Sequence, residues 1–251
     1  MKLGLLSLVV TVIDFCAGAG ECRVGRPPTR TVRVVATLRR FLREGSPWRS
    51  LTASAGLASG ATLRRRLRAW AAEGRLQKAH AVLVRLLRGN PDLILDSCSV
   101  RAKRGDLAGP NPTDRGKRGT KYHVAVDGDG VPVACVATAA NVNDTVLFER
   151  LFLVAFAVLA RVRTVFADGG YDAERHRVLC RSFGAEPRIR RRGQAHGSGL
   201  GTRRWPVERS LAWLLENRRL ALRYDRLGFV IQSLLRAACI FLAAGRLARE
   251  F

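Results

Sequence analysis

Acidic residues are scarce in this chain of 251 residues: twenty Asp and Glu stand against forty-four Lys and Arg, leaving a formal charge of +24. Such an excess repels itself in a compact fold unless a polyanion is near, and nucleic acid is the commonest polyanion. Charge alone does not separate a nucleic-acid enzyme from a basic ribosomal protein or a protein of the membrane surface. Zinc spacing is also missing. The cysteines (Cys16, Cys22, Cys98, Cys135, Cys180 and Cys239) contain no CxxC pair, and four histidines complete no ligand set. Reduced thiols in a cytosolic setting are expected. Long apolar runs are lacking too. Lys2, the stretch LGLLSLVVTVI and the small residues after it imitate an export signal, but Asp14 cuts a run already too short to span a bilayer. That segment is read as a buried helix or the product of a displaced start codon. Residues 238–248 (ACIFLAAGRLA) carry Arg246 and are expected as a core helix. A cytoplasmic, nucleoid-associated protein with no membrane partner is the expectation.

Apolar residues make up 47% of the chain, enough to fold most of it. Most cations are Arg, whose guanidinium grips phosphate in a bidentate fork, although an Arg- and Ala-rich composition also accompanies a GC-rich genome. After an atypical apolar N-terminus and Pro/Arg linker (1–29), residues 30–88 read as helical. Val35, Leu38 and Leu42 share one face of a helix that stops at Gly45. A short second helix is expected from Arg49 to Ala55. A third carries Leu63, Leu67 and Trp70 on one face, with Arg64, Arg65, Arg66 and Arg68 on the others. This is the layout of a helix-turn-helix module, with Arg64, Arg65 and Arg68 placed to meet DNA; an ordinary bundle with a solvated arginine face gives the same pattern. A fourth helix, 77–87, closes the module before Gly89-Asn90-Pro91.

Beyond residue 91 strands and helices interleave, which predicts an α/β catalytic domain over 91–251. Leu93-Ile94-Leu95 reads as a buried strand ending at Asp96. Residues 121–127 and 131–138 read as a hairpin turning at Gly128-Asp129-Gly130. Helices are expected at 147–159, 173–183 and 229–249, a strand at 163–167 ending in Asp168, and a weaker strand at 186–190. Pro206 is expected to open a long helix, which puts Glu208 in its first turn.

Moving a DNA strand requires a hydroxyl to attack phosphorus in line, and two divalent ions about 4 Å apart stabilise the charge on both the attacking and leaving oxygens. Mg2+ prefers hard oxygen ligands, and Mn2+ can substitute for it, so carboxylates at strand ends and helix starts are the residues to look for in a basic chain. Asp96, Asp168 and Glu208 fit. Each also has a plain structural reading: a loop cap, a turn residue, a complement to a helix dipole. His123 is read as a hydrogen-bonded strand residue, with a place beside these acids as the alternative, and Asp127 and Asp144 as turn caps or additional acids. Trp205 and Trp213 are read as core residues, with stacking on an unpaired base as the alternative. Lys117, Arg118 and Lys121, with Arg188, Arg190, Arg191 and Arg192, form a candidate phosphate track.

These segments resemble the transposases of bacterial insertion sequences of the IS5 family. Residues 94–100 (ILDSCSV) are similar to the segment bearing that family's first catalytic aspartate. Residues 116–127 (GKRGTKYHVAVD), with Gly130-Val131-Pro132, resemble its second and third strands, and Asn141 to Asp144 the motif closing the third. VFADGGYD (165–172) matches the second aspartate segment, and RWPVERSLAWLLENRRL (204–220) the helix bearing the glutamate. The resemblance implies a ribonuclease-H-like mixed-sheet core, metal-dependent cleavage at element ends and strand transfer into target DNA. It implies the triad Asp96, Asp168 and Glu208 as metal ligands, and Arg204, four residues before the glutamate, as a contact to phosphate near the cut. The basic or polar residue usual seven or eight positions after the glutamate is absent; Leu215 and Glu216 stand there, and Arg218 and Arg219 are the candidates to serve instead. Histidine is common where Asn143 stands. Terminal inverted repeats and target DNA are the expected partners, with a homodimer pairing two ends. The alternatives are a decayed transposase that grips DNA without cutting, a host nuclease with the same core, and a basic structural protein.

Overall fold

The computed structural model describes residues 4–17, 27–193 and 200–250; residues 18–26, which hold Cys22 and the start of the expected linker, lie outside the described residues. Helix α1 (Leu5–Phe15) buries Val9, Val12 and Ile13. It packs against three other helices, so the apolar start of the chain is part of the folded core. Helix α2 (Thr31–Glu44) buries Val34, Val35, Leu38, Phe41 and Leu42, and Gly45 ends it in the left-handed conformation, φ 69°, returning its N–H to the Phe41 carbonyl. The expected second helix is only a 3-10 turn, Trp48–Ser50, followed by irregular chain. Ser54 and Leu57 bond each other's backbones across a turn instead of continuing a helix, as the Thr52, Ser54 and Gly56 run favours. Ser59 caps α3 (Gly60–Ala72) by accepting from the Thr62 N–H. Helix α4 (Arg75–Leu87) completes the helical front.

A mixed six-stranded sheet follows: β1 (Asp92–Arg101), β2 (Gly109–Pro110), β3 (Arg118–Asp127), β4 (Pro132–Ala139), β5 (Thr164–Ala167) and β6 (Glu186–Ile189). Strand β3 pairs antiparallel with β1 on one side and with β4, and briefly β2, on the other; β1, β5 and β6 run parallel. Helices α5 (Asp144–Val158) and α6 (Glu174–Ser182) lie in the chain between the later strands, and α7 (Leu200–Leu215), α8 (Arg218–Ala221) and α9 (Gly228–Glu250) follow β6. The hairpin between β3 and β4 is held by Asp127, whose carboxylate accepts from the N–H groups of Asp129 and Val131, while Gly130 takes φ 84°.

Alternation along the strands sorts side chains onto two cores. Ile94, Tyr122, Val124 and Val126 join α7, α9 and the front helices in one cluster, whereas Leu93, Leu95 and Ala125 join α5 and β5 in the other. The first cluster runs without a break from α1–α4 to the sheet, so the helical front and the α/β region share one core across residue 88. His80 on α4 bonds the Pro132 carbonyl at 2.7 Å across that junction, and burial lowers its pKa to about 4, which keeps it neutral. Helix α9 is long and apolar enough to cross a membrane, its most apolar 18-residue window having a mean hydropathy of 1.7, but 61% of that window is buried within the protein, where it serves as the helix expected at the core.

Candidate active site

The meeting of Asp96 and Asp168 follows from register. Strand β1 pairs with β5 only through Ile94 and Phe166, so two residues further along, Asp96 and Asp168 stand level where the parallel pairing has stopped. Asp96 therefore does not end its strand, as the run of apolar residues suggested. Antiparallel pairing with β3 carries β1 on to Arg101, and what ends near Asp96 is the neighbour on the other edge. Asp168 caps a 3-10 turn, accepting from the Gly170 N–H at 2.8 Å. A side chain at Gly170 would come within 2.9 Å of the Asp168 carboxylate and 3.2 Å of Asp144, so glycine is what allows these acids to stand so close.

Arg204, on α7, reaches between the two aspartates. Its Nη2 lies 2.9 Å from Asp96 Oδ2 and 4.0 Å from Asp168 Oδ2. Burial pushes the Asp96 carboxyl up to about 6; the Arg204 charge and the Ser97 N–H pull it down, and the negative charges of Asp168 and Glu208 push it up again. Glu208 sits one turn beyond Arg204 on the same helix and is exposed. Pro206 does not open that helix. Helix α7 begins at Leu200, so Pro206 is internal and Glu208 lies past the first turn. Burial of Val207, Leu211 and Leu214 holds the helix through the proline, and the Ser210 hydroxyl bonds the Pro206 and Gly130 carbonyls.

The opposite face of β1 carries a second set of contacts, made by Asp144, which sequence reasoning had offered as a turn cap or an additional acid. Ser97, pointing away from Asp96 by strand alternation, donates to Asp144 Oδ1 at 2.8 Å. Lys121 Nζ lies 3.4 Å from the same oxygen. The fully buried His123 places Nδ1 at 3.2 Å from it, within ion-pair range but off the line of a good hydrogen bond, and its Nε2 meets Thr138 at 2.8 Å. Burial raises the Asp144 pKa, but the His123, Ser97 and Lys121 contacts outweigh it and hold the acid below its ordinary value. Tyr171, also buried here, is driven well above the phenol range by burial and by Asp144, Asp96 and Asp168. The signal for Asp144 lay in the even spacing of Lys121 and His123 on β3, which sends both side chains to one face.

The basic candidates divide. Arg64, Arg65 and Arg68 are exposed on α3, and Arg218 is exposed on α8. Arg190 is half-buried at the end of β6, and Lys121 is committed to Asp144 and the Val142 carbonyl. Arg219 is buried rather than presented to a ligand: it forks onto Asp225 at 2.9 and 3.2 Å, donates to the Gly45 and Ser46 carbonyls, and lies 4.3 Å from the Phe41 ring. Trp205 and Trp213 are not core residues; 50% and 37% exposed, they flank the Arg209 guanidinium at 4.3 and 4.7 Å. All five described cysteines are free thiols.

A family model described as "Transposase DDE domain" matches residues 88–242, more than half of the chain. The chain belongs to the DDE transposases. It is 39% identical over 183 residues to the "Putative transposase for insertion sequence element IS402" of Burkholderia cepacia, covering 68% of this chain and 87% of that one. Among solved structures, a chain of the simian T-cell lymphotropic virus intasome in complex with PP2A regulatory subunit B56 gamma superposes with a TM-score of 0.40 at 17% identity, covering 59% of this transposase and 47%, about half, of that chain. The catalytic core domain of BIV integrase gives 0.37 at 16% identity, over 61% and 82%. At these TM-scores neither likeness bears on the chemistry. Family membership makes this insertion-sequence transposase a divalent-metal enzyme that cuts and joins DNA strands. The mixed α/β core behind a helical front, anticipated from the strand and helix pattern, is what the structure has.

Asp96 and Asp168 suit such a metal. They are hard-oxygen donors, and both already direct an oxygen at one cationic nitrogen. Among the described residues no three His, Cys, Asp or Glu side chains gather as a complete metal cage.

Proposed function

We propose that the transposase, of the IS5 type, binds the terminal inverted repeats of its element and cleaves and transfers DNA strands with Asp96, Asp168 and Glu208 as its acidic triad. The observation that carries this reading is the level placement of Asp96 and Asp168 beside a single shared cation, Arg204. The two aspartates would hold Mg2+, or Mn2+ in its place, and Glu208 would complete the set from the facing helix. The bound ions would supply charge neutralisation and a reactive hydroxyl at neutral pH.

The chain's own residues prepare that chemistry. The Ser97 N–H fixes one oxygen of Asp96 and leaves the other free to face α7. The Gly170 N–H does the same for Asp168. Asp144, held by Ser97, Lys121 and His123, braces β1 from behind. Arg204, released from the aspartates by bound metal, would turn its guanidinium to the phosphate being cut, where a planar fork matches two oxygens. Arg64, Arg65 and Arg68 on α3, with Arg190 and Arg218, would grip the duplex backbone, and two copies of the chain would bring two element ends together in the cytoplasm, at the nucleoid.

The test is a labelled duplex spanning the element's end. Asp96→Asn, Asp168→Asn and Glu208→Gln should each remove Mg2+-dependent nicking, by at least two orders of magnitude, with DNA affinity within a few-fold of wild type. Binding lost together with cleavage would make these acids structural. Binding by the wild-type chain without any nicking would mark a copy that grips DNA and no longer cuts.

A further inference from the structure

A cavity of about 700 Å3 opens where the far end of β1 meets the start of β3 and the segment joining α8 to α9. Seven of its eleven lining residues are Lys or Arg and none is acidic. Lys103, Arg104 and Arg226 are exposed there, and no ion pair reaches them or Lys117 among the described residues. Arg101 is balanced by Asp114, at 2.8 Å. Arg223 forms one wall and is only 8% exposed; it donates to the Asp106 carbonyl, while its Nε and Nη1 have no hydrogen-bond partner. Burial lowers its pKa, and the nearby Asp225 and Asp106 offset that cost only in part. Leu222 and Tyr224 add exposed apolar surface, at 54% and 62%.

So many uncompensated cations around one concavity destabilise the free protein and fit a polyanion. A sugar-phosphate backbone would set its charge against the cations and its sugar against Leu222 and Tyr224. The distance to the aspartates gives a register. Arg101 ends β1 five residues beyond Asp96, about 17 Å at the ~3.4 Å rise of an antiparallel strand. A duplex lying along β1 would rise by about 3.4 Å per base pair, so the same distance would span roughly five base pairs.

We infer that this cavity holds the DNA backbone roughly five nucleotides from the scissile phosphate, a contact separate from the arginine face of α3. The inference rests on the proposed role of Asp96 and Asp168 in cutting. Its test uses the full-length chain and a fluorescent duplex spanning the element's end and flank, with affinity measured across a salt series. Each lost phosphate contact should flatten the slope of log K against log salt by about 0.9. The combined variant Lys103→Gln, Arg104→Gln, Arg226→Gln should therefore flatten it by roughly 2 to 3. Neutral methylphosphonate linkages are then walked along the duplex. Those four to six nucleotides from the cut should weaken wild-type binding several-fold and leave the triple variant unaffected. A wild-type slope in the triple variant, or equal sensitivity of both proteins to those linkages, overturns the inference while leaving the cutting site untouched. A wild-type chain that neither binds nor nicks this duplex overturns both readings.

Discussion

Replacing Asp96 by Asn should make the protein more stable at neutral pH while removing its activity. Burial, with the nearby charges of Asp168 and Glu208, raises the folded-state pKa of Asp96 from 3.8 to about 6 against the pull of Arg204 and the Ser97 N–H. The folded chain thus binds a proton that the unfolded chain has released, over the window from about pH 4 to 6. Stability rises with pH only where the unfolded state holds more protons; here the folded state holds more, so stability falls as pH rises through that window. A shift of about two units is worth at most roughly 3 kcal/mol at about 1.36 kcal/mol per unit. The neutral variant escapes that cost but weakens the partner of Arg204, whose side chain is only 17% exposed. The Asn oxygen can still accept from it, and Asp168 remains nearby. A net gain of about 1–2 kcal/mol is reasonable, or roughly 3–6 °C in Tm for a chain of this size. Thermal unfolding of both proteins in metal-free buffer, at steps from pH 4 to 8, reads the effect. The difference should be largest above pH 7 and shrink towards pH 4. An Asn variant less stable than wild type at pH 7.5, or a difference that does not change with pH, would refute the reasoning.

Two other substitutions probe the frame of the site. Arg219→Ala leaves the buried Asp225 without its cation, held only by the Trp48 indole N–H, and frees the Gly45 and Ser46 carbonyls, so it should cost about 3–5 kcal/mol in chemical denaturation; a change below about 1 kcal/mol would return Arg219 to the list of DNA contacts. Gly170→Ala pushes a methyl group against the Asp168 and Asp144 carboxylates and should reduce nicking at least ten-fold with little loss of DNA affinity; full activity would mean that the turn after β5 gives way without moving Asp168.

The positions of most strands along the chain were legible because they rest on local signals. Apolar runs ended by an acid marked β1 and β5, and the Gly-Asp-Gly turn marked the β3–β4 hairpin. Pairing was not legible in the same way. Nothing local says that β1 continues past Asp96, because the residues after it, Ser97, Cys98 and Ser99, are held by their partners on β3 rather than by their own propensity. Pro206 misled for a related reason: proline is a stop signal only when packing does not override it, and the buried Val207 and Leu211 do override it. Arginine was the least readable residue. Arg64 and Arg219 look alike in a list of cations, yet one is exposed and the other closes a buried fork with Asp225, an acid six residues away that sequence reading had not paired with it.

The same comparison explains why so basic a chain keeps acids at its centre. The charges of Asp168 and Glu208 oppose that of Asp96, and burial between the sheet and α7 raises the cost of charging Asp96. The fold offsets this cost on both sides of β1: Arg204 neutralises Asp96 and Asp168 from the α7 face, and Lys121, with His123 at its side, neutralises Asp144 from the α5 face. The two offsets are not equivalent. Lys121 and His123 serve an acid whose pKa remains lowered, a settled structural contact. Arg204 serves one whose pKa remains raised, so the charge at Asp96 is incompletely satisfied by the protein alone. A carboxylate left in that condition, at the level where two parallel strands part, gains when a further cation binds; Asp127, raised to about 6 as well, is instead held by the N–H groups of its own turn.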